Sequence, residues 1–314
     1  MTRAFVFPGQ GSQAVGMGQD LAAAFPEARE TFEEIDEALE QHLSRLMAEG
    51  PADELTRTAN AQPAIMAVSL AALRVLIRQG GLSVADTVSH AAGHSLGEYA
   101  ALAAAGTLDV AATARLLRTR GRAMQGAVPE GEGAMAALIG LELDAVRAVA
   151  EEASAAGVCE IANDNAPGQV VVSGHRAAVE RAMEGAKARR AKRAMELPVS
   201  APFHCRLMQP AAETMRGQLD ATAMADPAVP VVANVTAAPE READALRENL
   251  VTQVTHTVRW RESVAAMREA GVTQLIELGH GTTLTGLARR IDRQLAARAV
   301  GGPRDVETVV EMLR

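Results

Sequence analysis

Gly93-His94-Ser95-Leu96-Gly97 is a Gly-X-Ser-X-Gly pentapeptide. On a strand-to-helix turn this pattern makes a nucleophile elbow, in which a strained backbone holds the serine hydroxyl clear of the sheet. The glycines permit the sharp turn and the close approach of neighbouring chain. Residues 87–92 can supply the strand, and the alanine-rich stretch 96–105, closed by Gly106, can supply the helix. Backbone N–H groups at the helix start, that of Leu96 first, then become donors for an oxyanion. The chemistry expected is attack by Ser95 on a carbonyl carbon; the plainer alternative is a structural turn.

A nucleophilic serine needs a base. Seven histidines are present: His42, His90, His94, His175, His204, His256 and His280. His94 is adjacent, but the elbow turns consecutive side chains in different directions, away from Ser95. Spacing does not choose among the other six. His204 has the best position, because residues 198–204 carry the chain back from a small inserted unit into the cleft it makes.

Arg120 is the next informative residue. On a helix expected over 108–125, with Thr107 as its cap, Arg115, Arg118 and Arg122 share one face at 100° per residue. Arg120 lies opposite, among Thr113, Leu116, Leu117, Ala123 and Met124. A guanidinium turned into an apolar face must find an anion there, since an unpaired buried charge is very costly. That anion is either a structural Asp or Glu, or a substrate carboxylate, which a guanidinium clamps in bidentate fashion.

Gly9-Gln10-Gly11-Ser12-Gln13-Ala14 formally matches a Gly-X-Gly-X-X-Ala dinucleotide fingerprint. A nicotinamide site would leave Ser95 and Arg120 unexplained. The same loop can instead bring backbone amides and Gln10 to the elbow. Lys187, Arg189, Arg190, Lys192 and Arg193 form a basic run at the end of a helix. It reads either as a solvated C-terminus suited to the helix dipole or as a docking patch for an acidic partner.

The elements that must position these residues alternate. A strand at 4–7, helices at 27–46 and 64–78, the elbow, and the helix at 108–125 come first. Strands at 229–235 and 274–278 and a closing helix at 282–294 follow. Such alternation indicates an α/β layer with a largely parallel sheet. Between them the rhythm changes to βαββαβ: strand 134–139, helix 143–156, strand 158–162, an Asn/Asp/Pro/Gly turn, strand 169–173, helix 176–190, strand 194–199. That order is the ferredoxin-like unit. Its ends are rich in Pro and Gly, as an insertion's hinges should be, and the cleft beside it is a favoured place for a site.

Bulk properties limit the partners. The 314 residues allow one large or two smaller domains, and 48% hydrophobic with 22% charged residues is a soluble globular composition. A net charge of −8 gives no reason to expect nucleic acid. Cys159 and Cys205 form no disulfide framework and lack metal-ligand spacing, so no metal is expected and a reducing cytosol suits them. The apolar run 4–8 is too brief for a signal peptide. Residues 65–77 are broken by Ser69 and Arg74, so no membrane span is expected. The protein is expected to be cytoplasmic.

With these residues in hand, the chain resembles the malonyl-CoA:acyl carrier protein transacylases. The resemblance runs nearly end to end, through Phe5-Val-Phe-Pro-Gly-Gln-Gly-Ser-Gln13, Gly93-His-Ser-Leu-Gly-Glu-Tyr99, Arg120-Gly121 with Met124-Gln125, Asn165-Ala-Pro-Gly-Gln169, Val199-Ser-Ala-Pro-Phe-His204 and Glu277-Leu-Gly279. It implies Ser95 as nucleophile, His204 as its base, Arg120 on the malonyl carboxylate, and Gln10 with the Leu96 amide as oxyanion hole. It also implies a main-chain carbonyl near Gln253 as the group orienting the histidine. Phe203 resembles the bulky residue of relatives that prefer malonyl over branched extenders. The chain departs from the family pattern at Thr257, usually proline, and at His280 and Thr282.

The fold class implied is α/β: a parallel-sheet, α/β-hydrolase-like core (1–128 and 198–314) with the ferredoxin-like domain (129–197) inserted. The partners implied are malonyl-CoA and acyl carrier protein, with no cofactor beyond the carrier's own phosphopantetheine, and the chain is expected to be a monomer. A serine esterase or thioesterase is the main rival, though it would normally place an Asp or Glu between Ser and a late His. A silent carrier-binding module need not keep Ser95, His204 and Arg120 together. A transacylase serving polyketide synthesis or malonate decarboxylation is a closer cousin.

Overall fold

The structure is a computed structural model and describes residues 2–313. Its strands are β1 (Arg3–Phe7), β2 (His90–Gly93), β3 (Gly133–Ile139), β4 (Cys159–Ala166), β5 (Gln169–His175), β6 (Arg193–Glu196), β7 (Val231–Val232), β8 (Pro239–Glu240), β9 (Gln274–Leu278) and β10 (Ala296–Val300). They form two sheets. The larger has the order β10-β9-β1-β2-β7-β8 and is parallel except at its β8 edge. The smaller, β4-β5-β3-β6, is antiparallel throughout.

β1 explains why the large sheet is central. Ala4, Phe5, Val6 and Phe7 are all fully buried, as a parallel strand covered on both faces requires. Phe5 and Phe7 pack toward the long helix Thr58–Gly80, while Ala4 and Val6 pack toward Trp260, Val264 and Leu284. The Thr58–Gly80 helix is long and apolar enough to cross a bilayer even with Ser69 and Arg74 in it, but 89% of that stretch is buried inside the protein. Burial identifies it as a core helix.

The smaller sheet has its own core. Helices Leu143–Ala153 and Arg176–Ala188 cover one face, with Leu138, Val146, Val149, Val172, Val179 and Ala182 between them. The element order from β3 to β6 is the expected βαββαβ.

Several expected bounds are corrected. The stretch 27–46 is two helices, Pro26–Leu39 and Leu43–Glu49, because Glu40 takes a left-handed turn at φ 49°. Residues 84–87 are a helical turn, and the strand before the elbow begins only at His90. The helix of Arg120 spans Val110–Gly126, and its cap is Asp109, whose carboxylate accepts the Ala112 N–H at 2.6 Å; Thr107 lies outside it. The Asn163-Asp164-Asn165 stretch read as a turn is bulged β-strand. Helix Thr283–Ile291 does not close the fold, since β10 and helix Pro303–Leu313 follow.

β4 also reaches the large unit. Asn163 forms a parallel bridge with Val258, and the Thr257 hydroxyl donates to the Ile161 carbonyl at 2.6 Å. Arg261 pairs with Asp164 at 2.8 Å. These contacts seat the small unit over the carboxyl edge of the large sheet, where ligands of parallel sheets bind.

Candidate active site

The β1 and β2 ends lie side by side, Phe7 against Gly93, so the loop after β1 and the elbow after β2 share one edge. Gly97 sits so close to β1 that a Cβ there would meet the Phe7 carbonyl at 2.2 Å. Ser95 has φ 53°, a left-handed conformation that a serine adopts at a cost. Its N–H is held by the Asn234 side-chain oxygen at 2.8 Å, and the Asn234 amide donates to the Gly93 carbonyl at 2.7 Å.

His204 reaches the serine from the segment returning from the small unit. Its Nε2 is 2.8 Å from Ser95 Oγ, and its Nδ1 is 2.9 Å from the Gln253 main-chain carbonyl. A carbonyl only accepts, so Nδ1 carries the proton and the Nε2 lone pair faces the hydroxyl. Burial, and then the nearby Arg120 charge, push the His204 pKa down to about 3, which keeps the ring neutral. His94 points elsewhere and pairs through Nε2 with Asn165 Oδ1 at 2.8 Å.

Arg120 is fully buried at the same place. Its helix crosses Thr58–Gly80 closely enough that a Cβ on Gly121 would meet the Thr58 carbonyl at 2.6 Å. Nη1 donates to Gln62 Oε1 at 2.9 Å; Nη2 donates to Gln253 Oε1 at 2.7 Å and Ser95 Oγ at 3.1 Å. The guanidinium carbon lies 5.7 Å from the centre of the Tyr99 ring. Among the described residues no carboxylate forms an ion pair with Arg120. The guanidinium is thus held by neutral groups at the edge of a cavity of about 340 Å³. Gln10, Ser95, Met124, Met135, Phe203 and His204 are among the residues lining it. Arg118, expected on the opposite, polar face, is also buried; its guanidinium bonds Gln41 Oε1.

A family model for the acyl transferase domain matches residues 4–310. The chain is 48% identical over 309 residues to the malonyl CoA-acyl carrier protein transacylase of Escherichia coli K12, covering 98% of this chain and 99% of the relative. The acyl-carrier-protein-S-malonyltransferase of Bartonella henselae superposes with a TM-score of 0.97 at 53% identity, over 100% of this chain and 99% of that one. A malonyl-transacylase solved in complex with its type II PKS acyl-carrier protein superposes at 0.96 with 44% identity, over 99% and 100%. The chain belongs to the malonyl CoA-acyl carrier protein transacylase family.

In this member of the transacylase family, Gln253 contributes more than the main-chain carbonyl anticipated for it. Its side chain is fully buried, accepts from Arg120, and donates through Nε2 to the Ser95 carbonyl at 3.0 Å and to Glu98 Oε2 at 2.8 Å. The Leu96 N–H has no partner among the described residues, and Gln10, on the loop after β1, lines the same cavity. Lys187, Arg189, Arg190, Lys192 and Arg193 are all exposed, from the end of helix Arg176–Ala188 to the start of edge strand β6. They lie apart from the serine, although the chain continues from β6 into Leu197, Pro198 and Val199 of the cavity wall. Arg189 is paired with Glu152.

Gln62 and Asn234 were not singled out from sequence, and Glu98 and Asn165 entered only within the family-like stretches, without a role. Glu98 carried a signal, since it is a lone charge in the otherwise apolar stretch 96–105. Gln62 and Asn234 gave none, because only the fold brings them to the site.

Proposed function

We propose that the protein transfers the malonyl group from malonyl-CoA to the phosphopantetheine thiol of acyl carrier protein through a malonyl-serine intermediate, supplying fatty acid synthesis. One observation carries this reading: a single hydroxyl, Ser95 Oγ, is shared by a neutral imidazole and by a guanidinium with no carboxylate partner among the described residues. A serine hydrolase has no use for the second.

In the first half-reaction His204 Nε2 takes the Ser95 proton as Oγ attacks the thioester carbonyl. The Leu96 and Gln10 N–H groups receive the developing oxyanion. The tetrahedral intermediate collapses, the C–S bond breaks, and CoA leaves as its thiol with the proton held on His204. Arg120 holds the free malonyl carboxylate and so sets which acyl groups enter. In the second half the carrier's thiol gives its proton to His204, attacks the ester carbonyl, and Ser95 Oγ leaves reprotonated. The reaction so written needs no metal or redox cofactor. The Phe203 ring narrows the pocket against branched extenders.

The small sheet order, β4-β5-β3-β6, supports reading residues 129–197 as a ferredoxin-like domain inserted into an α/β-hydrolase-like core formed by 1–128 and 198–314. Its exposed basic run, Lys187 to Arg193, is proposed as the dock for the acidic carrier. A cytoplasmic monomer fits this role. The likeness to a malonyl-transacylase bound to a type II PKS carrier favours one second reading, a polyketide acceptor.

Intact-mass measurement after mixing with malonyl-CoA tests the proposal. A malonyl adduct is expected on the wild type, discharged by a phosphopantetheinylated carrier and absent from Ser95→Ala. No adduct, or one that water discharges as fast as carrier does, would return the chain to the hydrolases. Offering fatty acid and polyketide carriers in parallel decides the acceptor.

A further inference from the structure

We infer that Glu98 is a positioning residue for donor selection, because it fixes which end of the Gln253 side-chain amide faces Arg120. This rests on the transacylase reading above.

The two ends of a glutamine amide are nearly equal in shape but opposite in hydrogen bonding. Gln253 Nε2 meets three acceptors, with Glu98 Oε2 the nearest at 2.8 Å, then the Ser95 carbonyl at 3.0 Å and Asn234 Oδ1 at 3.4 Å, so the nitrogen must lie on that side. Oε1 is thereby turned to Arg120 Nη2 at 2.7 Å. Were the amide reversed, an N–H would meet an N–H and drive the guanidinium from its place beside Ser95. Glu98 is itself immobilised: it is fully buried in the first turn of helix Gly97–Ala104, and Oε2 also accepts the Asn234 N–H at 3.0 Å. The helix start favours a carboxylate there.

The arrangement answers a difficulty in the site. A buried guanidinium needs acceptors for its N–H groups, but a carboxylate directly upon it would occupy the place of the substrate's carboxylate. Glu98 sits one amide away. Its acceptor oxygen acts on Arg120 through the Gln253 amide and leaves the cavity edge of the guanidinium open.

The test compares kcat/KM for malonyl-CoA and acetyl-CoA in Glu98→Leu, Glu98→Asp and Glu98→Gln, with labelling of Ser95 by a neutral fluorophosphonate as a second readout. Glu98→Leu removes the acceptor and is expected to lower malonyl kcat/KM about ten- to a hundred-fold, with acetyl transfer and labelling nearly kept. Glu98→Gln offers an amide oxygen at the same place and is expected to restore the malonyl preference. Glu98→Asp keeps the charge but is one methylene short, and its preference is expected to fall between. Equal losses for both donors in Glu98→Leu, or an unaltered preference, would overturn the inference. If Glu98→Leu does not fold, equal preferences in the Asp and Gln variants do so. A wild type that takes no malonyl group sinks the transacylase reading; a wild type that does, beside a Glu98 series of constant preference, sinks only this one.

Discussion

The Arg120 guanidinium stands 3.1 Å from the Ser95 hydroxyl, so the charge that would select the donor is in contact with the nucleophile. With Gln62 and Gln253 as its other hydrogen-bond acceptors, it is held by neutral groups alone. Arg120→Ala should therefore cost malonyl transfer about 2–5 kcal/mol, roughly thirty- to several-thousand-fold. Acetyl-CoA, lacking the carboxylate, should lose little, and donor preference should approach parity. A purely structural arginine would lower both donors alike together with the melting temperature, so measuring donor preference and Tm in one series decides the matter.

Gln253→Ala separates two functions of one residue. The His204 acceptor is a main-chain carbonyl and survives the substitution. The side-chain contacts to Arg120, Glu98 and the Ser95 carbonyl do not. Losing a hydrogen bond to a charged group costs about 1.5–3 kcal/mol, so malonyl kcat/KM should drop roughly ten- to a hundred-fold. His204→Ala, by removing the base, should cost both donors a factor on the order of 10²–10⁴. The readout is the malonyl-to-acetyl ratio: reduced for Gln253→Ala, constant for His204→Ala. A constant ratio in both would show that the Gln253 side chain has no part in donor binding.

Much of this site was legible because its chemistry is local. The pentapeptide carries its own turn, and Arg120 is marked by standing among apolar residues on its helix. Strand β9 coincides with the expected 274–278 because a short buried run bounded by polar residues has little choice of form. What was not legible depends on contacts distant in sequence. Asn163 and Asp164 read as turn residues, yet antiparallel pairing with Val171 and Val170 of β5, together with the contacts to Val258 and Arg261, keeps them in a strand. The helix expected from 64 begins already at Thr58, with Pro63 inside it. The Gln253 side chain meets Ser95, Glu98 and Arg120 across more than 130 intervening positions. No period or spacing encodes such a meeting.

The exposed basic run gives a prediction about the second half-reaction. Reversing Arg189, Arg190 and Lys192 to Glu should weaken carrier protein as acceptor more than malonyl-CoA as donor, with an effect that shrinks in high salt. Arg189 already pairs with Glu152, so its reversal should add least. Loading measured by mass and transfer measured at two salt concentrations separate the halves. Equal effects on both would return the run to a solvated helix end.

The pH dependence of stability follows from two buried groups beside Ser95. Burial, reinforced by Arg120, lowers the His204 pKa from 6.5 to about 3. Its contribution to stability is full above pH 6.5 and is lost as pH falls toward 3. Burial raises the Glu98 pKa from 4.5 to about 7, against the hydrogen bonds from Gln253 and Asn234 and the Arg120 charge. Its contribution is full below pH 4.5 and is lost as pH rises through 7. Between 4.5 and 6.5 the native state carries one proton on Glu98 while the unfolded state carries one on His204, so their two slopes oppose and nearly cancel. Glu98→Gln removes one arm of that balance. Relative to wild type, its unfolding free energy should then fall as pH drops, by up to about 1.4 kcal/mol per pH unit. The difference between the urea-unfolding curves of the two proteins at pH 4.5, 5.5 and 6.5 reads the contribution of Glu98. Parallel curves would mean that the Glu98 carboxyl titrates as it does in water, and the balance with His204 would be refuted.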